Sequence, residues 1–156
     1  MRFEDARQLL AALERHDVRY ALIGSMGMAA RGIVRATQDI DFFVDPSPAN
    51  IARLRDALRS VYDDDSIDEI TSDDLAGPYP VVRYGPPTGG GVIDLIGRLG
   101  EAYTFDKVEA DLVEIDGVQV RVATARMLYE MKRGTVRPQD HADADALRRH
   151  FCLEED

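Results

Sequence analysis

In the stretch "RATQDIDFFVDP", Asp39 and Asp41 stand one residue apart at the entrance to the apolar run Phe42-Phe43-Val44. Side chains alternate faces along a strand, so the two carboxylates share one face while Ile40 and Phe42 take the other. Two like charges about 6–7 Å apart repel, and each loses hydration when partly enclosed. A divalent cation between them removes both penalties. Hard oxygen donors of this kind suit Mg²⁺ or Mn²⁺, ions that also coordinate phosphate oxygens. A third carboxylate, Asp94, interrupts the apolar run "VIDLI". A charge in the middle of such a strand is costly unless it is paired or metal-bound. If that strand lies beside Ile40–Val44, three carboxylates converge on one patch. For D-x-D alone, a solvated strand end is the ordinary alternative.

Fifteen residues upstream, "ALIGSMGMAARG" runs as a buried strand, a Gly24-Ser25 turn and a short helix, with Ser25 near its N-cap and Gly32 at its end. Such a turn presents unpaired backbone N–H groups and a hydroxyl at a helix start, a natural phosphate cradle. Glycine at 24 would let a phosphate approach the backbone closely.

Gly24-Ser25, Gly32, Arg35, Thr37, Asp39, Ile40 and Asp41 follow one another at a spacing that resembles the nucleotidyltransferase superfamily that includes DNA polymerase β. More narrowly, "IGSMGMAARGIVRATQDIDFFV" is similar to the active-site signature of AbiEii- and MenT-type toxin nucleotidyltransferases. The resemblance implies a nucleotidyltransferase fold: a mixed α/β (α+β) sheet flanked by helices, with C-terminal helices. It implies an enzyme that moves a nucleoside monophosphate from an NTP to a hydroxyl, with Mg²⁺ or Mn²⁺ as cofactor. Asp39 and Asp41 would hold one or two ions; Asp94, matching the family's third carboxylate, would help with the second and activate the acceptor. Gly24 and Ser25 would hold the β/γ-phosphates. Arg35 either neutralises phosphate charge or pairs with an acid, and Thr37 fixes the turn into the strand rather than touching substrate.

Further on, "LYEMKRGTVRPQDHADADAL" resembles the C-terminal segment of these enzymes, with Lys132, Arg137, Asp140 and Asp143 matching. There the lysine reaches the nucleotide's phosphates. Asp140 and Asp143 either orient Lys132 or, the favoured reading, cap and decorate the last helix. The implied acceptor is a tRNA 3′ end, a protein side chain or a small molecule, and an antitoxin protein is an implied partner. Two other classes stand beside this reading: a catalytically idle binding partner on the same fold, and a metal-dependent phosphohydrolase, to which the Gly-Ser spacing lends no support.

The elements that must position these residues follow from periodicity. Phe3, Ala6, Leu10 and Leu13 mark an amphipathic first helix, and Ser47-Pro48 starts another with Ile51, Leu54 and Leu58 as its buried stripe. "PVVRY" and "GVIDLIG" are strand-like, and "DLVEIDGVQVRVA" predicts a hairpin around Asp116-Gly117. Thr124 and Pro138 begin two last helices. The acidic stretch 62–74 reads as a solvated loop or partial helix. One domain over 1–156 is expected, with a core of about 18–123 and a helical part of about 124–152.

Composition bounds the rest. A net charge of −10 argues against a broad nucleic-acid-binding surface, although Arg126, Lys132, Arg133 and Arg137 are read as a local basic patch. No apolar run approaches the ~18–20 residues that span a bilayer. The N-terminus carries acids within its apolar pattern, unlike a signal peptide. One cysteine, Cys152, excludes an intrachain disulfide, and a reducing cytoplasm is the expected location. His16, His141 and His150 lack metal-ligand spacing.

Overall fold

Apolar periodicity and turn chemistry divide the chain into helices and strands much as the sequence predicts. The computed structural model describes Met1 and residues 3–154. α1 (Phe3–Arg15), β1 (Tyr20–Ile23), α2 (Gly24–Ala30), β2 (Asp39–Val44) and α3 (Pro48–Val61) come first. A 3₁₀ turn (Asp65–Glu69) and α4 (Ser72–Ala76) lead into β3 (Val81–Tyr84) and β4 (Val92–Ile96). The short pair β5 (Arg98–Leu99) and β6 (Tyr103–Thr104), which the sequence did not announce, and a second 3₁₀ turn (Phe105–Lys107) follow. The hairpin β7 (Ala110–Ile115) and β8 (Val118–Ala123) and the helices α5 (Ala125–Arg133) and α6 (Pro138–Phe151) complete the order.

Six strands form one mixed sheet in the order β3-β4-β2-β1-β8-β7. β1 is antiparallel to β2 and parallel to β8, and β2 is parallel to β4. Central β1 is buried along its whole length. One face, with Leu22, Ile40, Phe42, Val44, Ile93 and Leu95, packs against the apolar stripes of α1 and α3. The other, with Ala21, Ile23, Phe43 and Ala123, packs against α5 and α6 through Met127, Leu128, Ala144 and Leu147. The sheet is therefore covered on both sides, as expected for a mixed sheet with buried parallel pairs.

Local signals behave as read at several joints. The Ser47 hydroxyl accepts from the Asn50 N–H, and Pro48 stands at the first position of α3. The Thr124 hydroxyl accepts from the Met127 N–H at the start of α5. Asp116 and Gly117 both have positive φ, as a two-residue type I′ hairpin requires. The acidic stretch is partly helical, the second of its two readings, with the 3₁₀ turn Asp65–Glu69 and α4 in it. It is anchored, because Ile67, Ile70 and Leu75 are buried and the Tyr84 hydroxyl donates to Asp64 at 2.9 Å. Three apolar residues among the acids supply that anchor.

Candidate active site

The acid-bearing strands lie side by side. β2 and β4 run parallel with Asp41 directly opposite Asp94 and Asp39 opposite Val92, so all three carboxylates emerge on the face covered farther along by α5 and α6. Phe43 and Ile96 carry that face into the core, while the acids open into a cleft of about 530 Å³. Ser25, Arg35, Thr37, Arg83, Lys132, Arg137 and Asp140 also line it. The structure thus brings together the residues predicted from four separate parts of the chain.

Asp41 is the most constrained of the acids. Burial, then the charge of Asp94 and a hydrogen bond with it, push its carboxyl up to about 7. Near neutral pH, Asp41 is therefore partly protonated, and a cation would replace that proton. Gly24 explains how the carboxyl fits. A Cβ there would lie 2.2 Å from Asp41 Oδ2, and φ is +67°. The missing side chain leaves room for Asp41 against the backbone.

Ser25 stands near the N-cap of α2 without capping it. α2 begins at Gly24 with Ile23 in the N-cap position and no side-chain cap, so Ser25 is inside the first turn. It is buried and lines the cleft. The Thr37 hydroxyl donates to the Asp39 carbonyl at 3.1 Å and accepts from the Asp39 N–H at 3.3 Å, which fixes the entry into β2 as expected.

Arg35 resolves its two readings toward an acid. Its Nε and Nη2 donate to the two oxygens of Asp143 at 3.0 and 2.9 Å. Lys132 Nζ donates to Asp143 Oδ2 at 2.8 Å and stands 3.5 Å from Asp140 Oδ1. Asp143 and Asp140 therefore orient Lys132 instead of decorating α6, whose N-cap position is Arg137. Spaced three residues apart on α6, the two acids share the face turned to Lys132 of α5. Burial raises the Asp143 pKa, but hydrogen bonds from Lys132, Arg35 and Gln139 outweigh it and hold the carboxyl below the usual range. Lys132 in turn lies near enough to lower Asp41.

The proposed basic patch does not form one surface. Lys132 and Arg137 line the cleft, whereas Arg126 and Arg133 stack on the Tyr129 ring at 5.9 and 5.5 Å. Asp45 is engaged elsewhere, with Arg19 at 2.7 Å and the Ser47 N–H at 3.1 Å. Arg83 is the site residue that sequence reasoning missed. Its signal was a lone cation in "PVVRY", a strand that pairs with the strand of Asp94 and sets Arg83 opposite it.

The donor set fits a hard divalent ion. Three oxygen-bearing side chains share one face, and one is held partly protonated by burial and a like neighbour. Among the described residues, no three His, Cys, Asp or Glu side chains are already arranged around an ion position. Asp39 and Asp94 are instead drawn onto Arg83.

Solved nucleotidyltransferases share this fold. A putative nucleotidyltransferase, TM1012 from Thermotoga maritima, superposes with a TM-score of 0.57 at 14% identity, covering 96% of this chain and 92% of that one. ANT(2″)-Ia, in complex with adenylyl-2″-tobramycin, also gives 0.57 at 15% identity, covering 96% and 88%. JHP933 from Helicobacter pylori gives 0.52 at 15% identity, covering 95% and 65%. No curated protein matches by sequence. Residues 8–144 match the family model for the nucleotidyl transferase AbiEii toxin of type IV toxin–antitoxin systems, and the chain belongs to that family. Among the described residues, no helix is long and apolar enough to cross a membrane.

Proposed function

We propose that this protein transfers a nucleoside monophosphate from an NTP, with Mg²⁺ or Mn²⁺ bound by Asp39, Asp41 and Asp94, to a hydroxyl acceptor, and acts as the toxin partner of an antitoxin. The observation that carries the reading is the register of Asp41 against Asp94 on neighbouring parallel strands, at the floor of a cleft that also holds Ser25 and Lys132.

A bound divalent ion would supply Lewis-acid stabilisation of charge on the attacking and leaving oxygens. The chain's own residues do the rest. Ser25 and the first amides of α2 would donate to phosphate oxygens, with Gly24 and Thr37 shaping the turns on either side. Lys132, held by Asp143 and Asp140, adds a fixed positive charge beside Asp41 without having to be ordered at the moment of reaction. Arg35 acts at one remove, by holding Asp143. Asp94 takes the proton of the acceptor hydroxyl as its oxygen bonds to the α-phosphorus, and pyrophosphate leaves with the electron pair of the broken P–O bond.

The acceptor is a tRNA 3′ end, a protein or a small molecule. ANT(2″)-Ia bound to adenylyl-2″-tobramycin supports a small molecule, and the net charge of −10 disfavours a large RNA. A reducing cytoplasm suits the exposed thiol of Cys152. One observation favours the second reading, an idle member acting as a binding partner: Arg83 sits on two of the three acids.

Incubation with each α-labelled NTP, Mg²⁺ and cell extract, followed by separation of RNA, protein and small molecules, tests the activity and names the acceptor. Asp39→Ala and Asp94→Ala are expected to abolish labelling while leaving the circular dichroism spectrum intact. If calorimetry finds no NTP binding and Asp41→Asn leaves every readout unchanged, the enzyme reading falls.

A further inference from the structure

We propose that Arg83 is the resting counter-ion of the acidic cluster, the group that a divalent ion must displace, and hence the residue that sets how tightly the free site holds metal. The inference rests on the metal-binding reading of Asp39, Asp41 and Asp94.

Antiparallel pairing of β3 on β4 places Arg83 opposite Asp94. Its Nε donates to Asp94 Oδ1 at 3.0 Å, and its Nη2 donates to Asp94 Oδ2 at 3.3 Å and to Asp39 Oδ2 at 3.1 Å. One guanidinium thus spans two of the three acids. The third, Asp41, is left to a hydrogen bond with Asp94. An ion held by the cluster needs the same oxygens. A guanidinium cannot give up its proton to make way, so Arg83 yields those oxygens only by moving.

Its position makes that movement easy. The side chain is 63% exposed, on an edge strand, and lines the cleft. Solvent-exposed ion pairs of this kind contribute little, so the contact delays an ion without excluding it. Lys132 cannot take the same part, because it is buried between Asp143 and Asp140. Once displaced into the cleft, the guanidinium is free to pair with a polyphosphate, whose oxygens match its fork of donors. Metal alone then binds weakly, and metal and nucleotide each favour the other's entry.

The test is a calorimetric titration with Mn²⁺, in the absence of nucleotide, of the wild type, Arg83→Gln, Arg83→Lys and Asp39→Asn. Arg83→Gln is expected to bind Mn²⁺ about fivefold tighter than wild type, as the loss of a competing exposed ion pair implies. Arg83→Lys, which keeps the charge but not the bridging fork, is expected to fall between them. Equal or weaker Mn²⁺ affinity in Arg83→Gln, with binding to wild type intact and abolished in Asp39→Asn, overturns the role of Arg83 and leaves the metal site standing. No Mn²⁺ binding to either wild type or Arg83→Gln overturns both.

Discussion

At the scale of single residues, Asp41 carries the clearest physical signature. A carboxyl in the unfolded chain titrates near 3.9, whereas burial and Asp94 push that of Asp41 up to about 7 in the folded protein. The raised value means that Asp41 favours folding at pH below the unfolded pKa, and that this contribution is lost as the pH climbs through 7. Asn keeps a donor for Asp94 and has no charge to bury. In chelator, Asp41→Asn is therefore expected to exceed wild type in stability at pH 8 by on the order of 2–4 kcal/mol, with the gain fading toward pH 4. Denaturant titrations across that range check it; a pH-independent difference would count against the assignment. Gly24 makes a second claim. Gly24→Ala forces a Cβ onto Asp41 Oδ2 and an unfavourable positive φ, a cost of about 1–3 kcal/mol from the backbone alone. A double-mutant cycle is expected to show a smaller penalty for Gly24→Ala in the Asp41→Ala background, where the clashing oxygen is gone. Additive penalties would mean the two residues do not compete for space.

Elements decide which of these residues meet. α5 and α6 lie against one another on the same sheet face as the acids, and Asp143 of α6 ties Lys132 of α5 to Arg35 of the segment between α2 and β2. Side chains of Asp143 and Lys132 are only 4% and 11% exposed, so removing the acid leaves the buried Lys132 to its longer contact with Asp140 at 3.5 Å and takes the carboxylate from Arg35. Asp143→Ala is expected to destabilise by about 3–5 kcal/mol at neutral pH, by thermal or urea unfolding. Because the Asp143 carboxyl is held low, its contribution is present above the unfolded pKa and lost as the pH falls through the folded one. The gap between variant and wild type should accordingly close under acid; a gap that persists there would point to lost packing rather than lost charge. The same variant is expected to weaken NTP binding, since Lys132 loses the partner that aims it into the cleft.

Across the whole molecule, folding and ligand binding are linked through one cleft. If Mn²⁺ and NTP occupy the acidic cluster, then ligand at about 100 times its Kd stabilises the protein by about 2.7 kcal/mol, and Asp94→Asn loses that gain. A thermal shift for wild type alone is the expected result; equal shifts in both would put the nucleotide elsewhere. Much of this was legible beforehand. The Gly24-Ser25 turn, the alternation of Asp39 and Asp41, and the isolated charge of Asp94 were each readable, because a turn or a strand imposes its pattern within a few residues. The contact of Gly24 with Asp41 and the purpose of Asp140 and Asp143 were not legible, because each depends on a neighbour far along the chain: Asp41 for Gly24, Lys132 for the acids of α6. Taken alone, the sequence determined most of the strands and helices, the short β5–β6 pair excepted, and that the two acids of β2 share one side, since those follow from backbone periodicity. Only the tertiary structure decided that Asp41 faces Asp94, that Arg83 bridges two acids and that Lys132 is buried among carboxylates. Strand order, register and helix docking are set by how distant apolar faces pack together, and no local pattern encodes them.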